Sequence, residues 1–342
     1  MEKRWMRVLS AILSVMLVVT MFVPMQAQAA AKSIDQIKDE VREHLTPLSD
    51  EEREWLEQQV RVSSQEQPTV HEQLLQAMEK NEKGPLSVIV HLSERPVAVA
   101  GGLMRLNGET YTSSDEAVTH RAVVKQQQQV KQALQKRGVN ASWTHTYSTV
   151  LNGFATTIDA KQLPTLLATP GVTHVEPDVQ VRALEEPTYD TQISMIETPQ
   201  FLDVTRLWKD GITGKGVKVA VLDTGIDPNH PDLKPVYKGG KNFVPFDPNT
   251  YREARADDDA SETRPEERAP EARPDGFETT HGTHVAGTIA AVGNNAYNVK
   301  GLAPDVDLYA YRVLGAYGSG YTSSIIAGIE EAVKEEMDVI DL

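Results

Sequence analysis

The chain contains no cysteine among its 342 residues, which excludes a disulfide framework and a thiol nucleophile. It has no basic excess either. The formal charge of −15 argues against nucleic acid as a partner and favours solubility. No His-Glu-x-x-His run occurs: between His281 and His284 the place of the glutamate is taken by Gly282, so the helical zinc pattern is missing. Asp223-Thr224-Gly225 has no second Asp-Thr-Gly or Asp-Ser-Gly to share a proton with it, which leaves an aspartic-protease dyad without its other half. The apolar run Val8–Val23 falls short of the ~20 residues of a spanning helix. What remains is an ordinary globular composition, 40% apolar, with length enough for two domains.

That apolar run follows Lys3, Arg4 and Arg7 and precedes Pro24 and Ala27-Gln28-Ala29. Basic residues, an apolar core and a small-x-small site predict a secretory signal over residues 1–29, removed from a secreted product. Residues 30–84 are polar, with helical spacing at Ile34, Ile37, Val41 and again at Leu74, Leu75, Met78; Ser49-Asp50-Glu51-Glu52 predicts a capping box. This stretch reads as a helical extension without chemistry of its own.

From Pro85 the pattern changes. Leu86, Val88, Val90 and Leu92 alternate with Ser87 and His91, predicting a half-buried strand. Ser113-x-x-Glu116 predicts the cap of a helix that Gly138 stops. Two strands, Trp143–Val150 and Phe154–Ile158, follow, with Asn152-Gly153 as a hairpin signal. A short helix at Leu163–Ala168 and a last strand at Val172–Val181 complete a β-α-β-β-α-β order, a ferredoxin-like α+β unit over residues 85–185.

In the remainder, 186–342, the apolar run Val217–Leu222 ends in Asp223 and a glycine turn. It reads as a buried parallel strand with a carboxylate at its C-terminal edge, where sites of open α/β sheets collect. Thr280 is a candidate N-cap for a slim helix through Val285 and Ala291, which puts His281 in the first turn, where a general base belongs. Gly282 and Gly287 each cost such a helix about 1 kcal/mol and predict that another backbone passes close by. Asp307–Val313 predicts another parallel strand, Gly318-Ser319-Gly320 a backbone open to pairing with an extended peptide, Thr322–Glu336 a helix and Asp338–Leu342 a further strand. The stretch 234–280, with Asp257-Asp258-Asp259 and the charged, Pro-containing run Glu262–Glu278, predicts a solvated insertion.

Asp223-Thr224-Gly225-Ile226-Asp227, His230-Pro231-Asp232-Leu233, His281 to Gly287, and Val313 to Gly320 resemble, in this order, the subtilisin-like serine proteases. Leu151-Asn152-Gly153-Phe154-Ala155 and Val175-Glu176-Pro177-Asp178 are similar to the I9-type inhibitor propeptide of that family. The resemblance implies a subtilisin-like parallel sheet with helices on both faces, incomplete here, behind the ferredoxin-like propeptide. It implies a secreted serine endopeptidase precursor acting on protein and peptide substrates, with no nucleic acid partner and no membrane partner after signal cleavage. Asp223 and His281 would be two members of the triad, Gly318, Ser319 and Gly320 the strand that pairs with substrate, and Asp232 a calcium ligand, with Asn294 and Asn295 in the neighbouring loop. The propeptide would block the site with its C-terminal tail and be cut near Arg182–Asp190. No Gly-Thr-Ser segment of the kind that carries the family's nucleophile occurs in the chain, so the expectation is an N-terminal part of such a precursor. The rival expectation is a secreted, non-catalytic inhibitor of other subtilases.

Overall fold

Two sheets and a short two-stranded ladder between them organise the computed structural model, which describes residues 49, 69–79, 84–183, 198–245, 258–263, 280–295 and 299–342. All but Ser49 belong to one compact unit, Trp55–Leu342. The expected signal, its cleavage site, the helical spacing at Ile34, Ile37 and Val41, and residues 50–52 of the expected capping box lie outside the described residues.

The first sheet contains β1 (Thr69–Val70), β2 (Pro85–Leu92), β3 (Ser142–Tyr147), β4 (Gly153–Asp159) and β5 (Val172–Pro177). Its order is β1-β5-β2-β4-β3, antiparallel except for the β1–β5 pair. Without β1 this is the strand order of a ferredoxin-like unit. β1 and α1 (Glu72–Glu79), from the stretch read as an extension, pack on it: Leu74 is buried in the same core as Val88, Val90 and Leu92. The crossover from β2 to β3 uses two helices, α2 (Val97–Leu106), which the sequence did not announce, and α3 (Ser113–Lys136). α3 is capped one residue earlier than expected. Thr112 Oγ1 accepts from Asp115 N–H, and Asp115 Oδ2 accepts from Thr112 N–H, a reciprocal box that leaves Glu116 out.

Two strand readings are corrected. β2 is not half-buried: Ile89, at the supposed solvent-side position, is as fully buried as Val88 and Val90 because it packs with Tyr147, Ala155 and Ala327. Asn152-Gly153 is not a two-residue turn. β3 ends at Tyr147, residues 148–152 form the loop, and Gly153 opens β4 where a Cβ would sit 2.0 Å from the Val90 carbonyl oxygen. The Asn152 amide instead donates to the Glu94 carbonyl at 2.8 Å and accepts from Gln127 at 3.0 Å. After the 3-10 turn Ala160–Gln162, α4 (Leu163–Leu167) starts with Pro164 in its first turn, where proline is tolerated.

The second sheet contains β7 (Lys218–Asp223), β8 (Tyr237–Asn242), β9 (Asp307–Arg312) and β11 (Val339–Asp341), in the order β11-β7-β9-β8, all parallel. α5 (Thr198–Phe201) and α6 (Val204–Lys209) precede it. α7 (His281–Ala290) covers one face through Ala286 and Ala290, against Val219, Val221, Leu308 and Ala310. α8 (Thr322–Lys334) covers the other through Ile325, Ile329 and Ala332, against Ala220, Leu222, Tyr311 and Val313. Burial on both faces is why β7 reads as an unbroken apolar run. The fold is thus mixed α/β, a parallel sheet with helices on both faces behind an α+β domain.

The last strand of the first domain is broken. β5 ends at Pro177, and the chain turns out of the sheet into β6 (Gln180–Arg182), which pairs antiparallel with β10 (Ser319–Tyr321).

Candidate active site

β7 carries Asp223 to the C-terminal edge of the parallel sheet, where its carbonyl oxygen accepts from the N–H groups of Val313 and Leu314. Its carboxylate is buried. Oδ1 accepts from Thr224 N–H at 2.6 Å, and Oδ2 lies 2.7 Å from His281 Nδ1. The sheet edge and the first turn of α7 therefore bring together two side chains 58 positions apart. A carboxylate on Nδ1 fixes the imidazole tautomer and leaves Nε2 as the basic nitrogen. The ring remains 23% exposed.

The close seating of α7 explains Gly282, where a Cβ would lie 2.2 Å from the Gly225 carbonyl oxygen. At Gly287 a Cβ would meet nothing within 4 Å, so the expected close approach is absent there and nothing in the structure explains that glycine. Thr280 holds the N-cap position but its side chain makes no capping bond. The free N–H groups of the first turn are satisfied from elsewhere: Gly282 N–H donates to Thr224 Oγ1 at 2.9 Å, and Thr283 N–H to Glu262 Oε2 at 2.9 Å. Thr283 Oγ1 donates to the same carboxylate oxygen and accepts from Asp227 N–H. His284 is exposed one turn along the same helix.

Glu262 was missed by sequence reasoning, which placed it in a solvated run. It is 6% exposed, and burial raises its pKa, with the Asp223 charge adding to the rise and its hydrogen bonds working against it. Its backbone explains the burial: Ile226 N–H donates to the Ala260 carbonyl and Glu262 N–H to the Ile226 carbonyl, which ties 260–262 to the turn after β7. A short acidic stretch flanked by charge carries no signal of such a tie. Asp341, at the end of β11, is a second carboxylate near the pair. Burial and the Asp223 charge raise its pKa, and His281 opposes them.

Gly318 precedes β10 and Ser319 and Gly320 lie in it, and the stretch expected to take an extended peptide holds one: the chain's own residues 180–183. Ser319 faces Arg182, Gly320 faces Val181, and Tyr321 faces Gln180; Ala183 N–H donates to the Gly318 carbonyl at 2.7 Å. Val181 and Ala183 turn toward the core that holds Leu314 and Ile325. At Gly320 a Cβ would lie 2.3 Å from the Val313 carbonyl oxygen, so the strand is wedged between its own turn and the bound tail. Of residues 182–190, where cleavage is expected, all but Arg182 and Ala183 lie outside the described residues.

The tail is steered by contacts to α8. Asp178 accepts from Ser323 N–H at 2.9 Å and from Ser323 Oγ at 2.7 Å, at the start of that helix. Tyr147 Oη donates to the Ser323 carbonyl at 2.8 Å. Further along α8, the buried Glu330 carboxylate accepts from the N–H groups of Ser148, Thr149 and Val150.

Residues 214–342 match the model described as the subtilase family, and residues 87–184 match that of peptidase inhibitor I9. Residues 214–342 belong to the subtilase family. A match to the I9 model precedes that segment, which gives the chain the make-up of a subtilisin-like precursor. It is 37% identical to the minor extracellular protease Vpr of Bacillus subtilis (strain 168) over 263 residues, covering 75% of this chain and 29% of that protein. Over 192 residues it is 39% identical to subtilisin E of the same organism, covering 56% of this chain and 42% of the relative. It is also 43% identical to a subtilisin of Bacillus pumilus over 150 residues, 44% of this chain and 42% of the relative. The chain thus spans less than half the length of each of these relatives. Among the described residues, no helix is long and apolar enough to cross a membrane.

Asp232, the expected calcium ligand, is 2% exposed at the foot of the loop that holds Asn294 and Asn295. Its Oδ1 accepts from Asn294 N–H at 2.9 Å, and Oδ2 contacts the Asn295 side-chain amide. Both Asp232 oxygens take N–H donors here; calcium takes oxygen ligands, so of these groups the Asp232 carboxylate suits the ion, and the Asn295 amide would suit it only when turned to present its carbonyl oxygen.

Proposed function

We propose that the chain is the N-terminal part of a secreted zymogen of a subtilisin-like serine endopeptidase, with Asp223 and His281 as two members of its Asp-His-Ser triad. The single observation that carries this is the 2.7 Å contact between Asp223 Oδ2 and His281 Nδ1 at the edge of a parallel sheet. In this reading Asp223 orients the ring and stabilises the imidazolium. His281 takes the serine proton and returns it to the leaving amine. The serine itself is assigned to sequence beyond these residues, in keeping with the absence of a Gly-Thr-Ser segment. Gly318, Ser319 and Gly320 pair with the substrate backbone, and the same strand holds the propeptide tail until the chain is cut between residues 182 and 190. Residues 1–29 serve as the signal, 30–84 as an extension, 85–185 as the inhibitory propeptide and 186–342 as the start of the catalytic domain. Asp232, with Asn294 and Asn295, would hold a structural calcium ion, whose chemistry there is to offset buried negative charge.

The test is a precursor in which these 342 residues are continued by the remainder of a subtilase domain. It is expected to cut itself between residues 182 and 190, to be inactivated by a serine-directed acylating reagent, and to stay uncut as His281→Ala. Processing that persists in His281→Ala and is lost only in His284→Ala overturns the assignment of the base to His281. Casein hydrolysis by the 342-residue chain itself, lost in His281→Ala, overturns the placing of the nucleophile outside it.

A further inference from the structure

His91, His174 and Glu176 stand together on the inhibitory domain, outside the Asp223–His281 site. His91 on β2 is the register partner of His174 on β5, and Glu176 lies two positions further along β5, opposite Ile89. Residues two apart on a strand, and partners across a ladder, share a face. All three therefore share the face of Ile89, the one turned toward Ala327 of α8. His91 Nε2 lies 2.8 Å from Glu176 Oε1, and the two imidazoles meet edge to face with centroids 5.0 Å apart. One donor atom from each residue falls within 4.8 Å of the other two.

We propose that these residues form a binding site for a zinc-class divalent transition metal ion. Two imidazole nitrogens and one carboxylate oxygen are the donor set such ions take, whereas calcium and magnesium prefer oxygen alone. Ligands around an ion at about 2.1 Å stand roughly 3.4 Å apart in a tetrahedron, so small side-chain rotations close the site. The His91–Glu176 contact is already within that spacing. His91 and Glu176 are 28% and 32% exposed, which leaves a path for the ion and a fourth position for water. The ion ties β2 to β5, the strand whose continuation is the tail lying on β10. Occupancy thus stiffens the element that presents the tail to the groove.

The experiment uses the whole chain carrying His281→Ala, which removes the Asp223–His281 pair as a competing site. Zn²⁺ is titrated calorimetrically, and Co²⁺ is followed by the visible absorption of a four-coordinate ion. One ion per chain is expected, with an at least tenfold weaker Zn²⁺ affinity and loss of the Co²⁺ band in both His174→Gln and Glu176→Gln. Circular dichroism matching the parent shows that the variants fold; Glu176→Gln keeps an acceptor for His91 and so guards against a variant that fails for another reason. A smaller loss of affinity in either folded variant, or no Zn²⁺ binding by the parent, overturns the proposal. Neither result bears on the catalytic pair.

Discussion

The backbone N–H of Thr149 donates to the Glu330 carboxylate over 2.7 Å, joining residues 181 positions apart across the contact between the inhibitory domain and α8. The same carboxylate takes the N–H groups of Ser148 and Val150. Glu330→Ala strips the charged acceptor from all three donors at once. Hydrogen bonds to charged groups contribute about 1.5–3 kcal/mol each, less than additively when they share one acceptor, so a loss of roughly 3 kcal/mol is expected. Urea unfolding of the 342-residue chain reads it, with a smaller loss in Glu330→Gln. An unchanged midpoint in Glu330→Ala would mean that this contact does not hold the domains.

Acid should loosen the structure in two stages. Burial drives the His145 ring from 6.5 down to about 4, so it is neutral when folded. The unfolded ring gains its proton below pH 6.5, so the folded state is penalised increasingly from there to about pH 4, by roughly 1–3 kcal/mol in all. For Glu330, burial pushes upward, but the N–H groups of Ser148, Val150 and Thr149 and the Lys334 charge outweigh it and hold the carboxyl below its ordinary 4.5. Its contribution is present above pH 4.5 and disappears as the pH falls through the lowered folded value. Urea midpoints measured from neutral pH downward should therefore decline first below 6.5. His145→Gln should remove that upper limb and leave the lower one; a wild-type profile flat between pH 6.5 and 4.5 contradicts the role given to His145.

The two glycines of α7 should respond in opposite directions. Gly282→Ala places a methyl 2.2 Å from the Gly225 carbonyl oxygen, which pushes the helix start, and His281 with it, off the sheet edge. A stability loss of about 1–3 kcal/mol is expected, together with failure of self-processing in the continued precursor. Gly287→Ala meets nothing within 4 Å and gains up to about 1 kcal/mol of helix propensity. Thermal midpoints of the two variants that move the same way would refute this account of the helix seat.

Calcium binding to Asp232 predicts a chelator effect. An ion that binds only the folded form raises stability by mass action, by about 2.7 kcal/mol at a hundred times its dissociation constant. EDTA should lower the thermal midpoint of the wild-type chain in calcium buffer and have much less effect on Asp232→Ala. Equal sensitivity in both removes Asp232 from the site.

Much of this was legible in the linear chain wherever one local rule governed the outcome. The apolar run Val217–Leu222 specified a strand buried on both faces, and its terminal Asp223 lay at the sheet edge because a parallel strand must end there. The small residues of His281–Ala290 specified a helix thin enough to lie on that sheet, so the two candidate residues were visible before their contact was. What only tertiary structure decided lies where a partner far along the chain outweighs the local signal. Ile89 is buried because α8 covers it, and Asn152-Gly153 fails to make a tight turn because Glu330 and Val90 claim the loop around it. The run Val172–Val181 breaks in two because Asp178 is bound by Ser323 and β6 by β10. Glu262 is drawn inward to satisfy the Thr283 N–H group at a helix start that Thr280 leaves uncapped. Hydrophobic period and turn chemistry act over a few residues and can be read along the chain, whereas the satisfaction of buried polar groups depends on which segments the fold brings together.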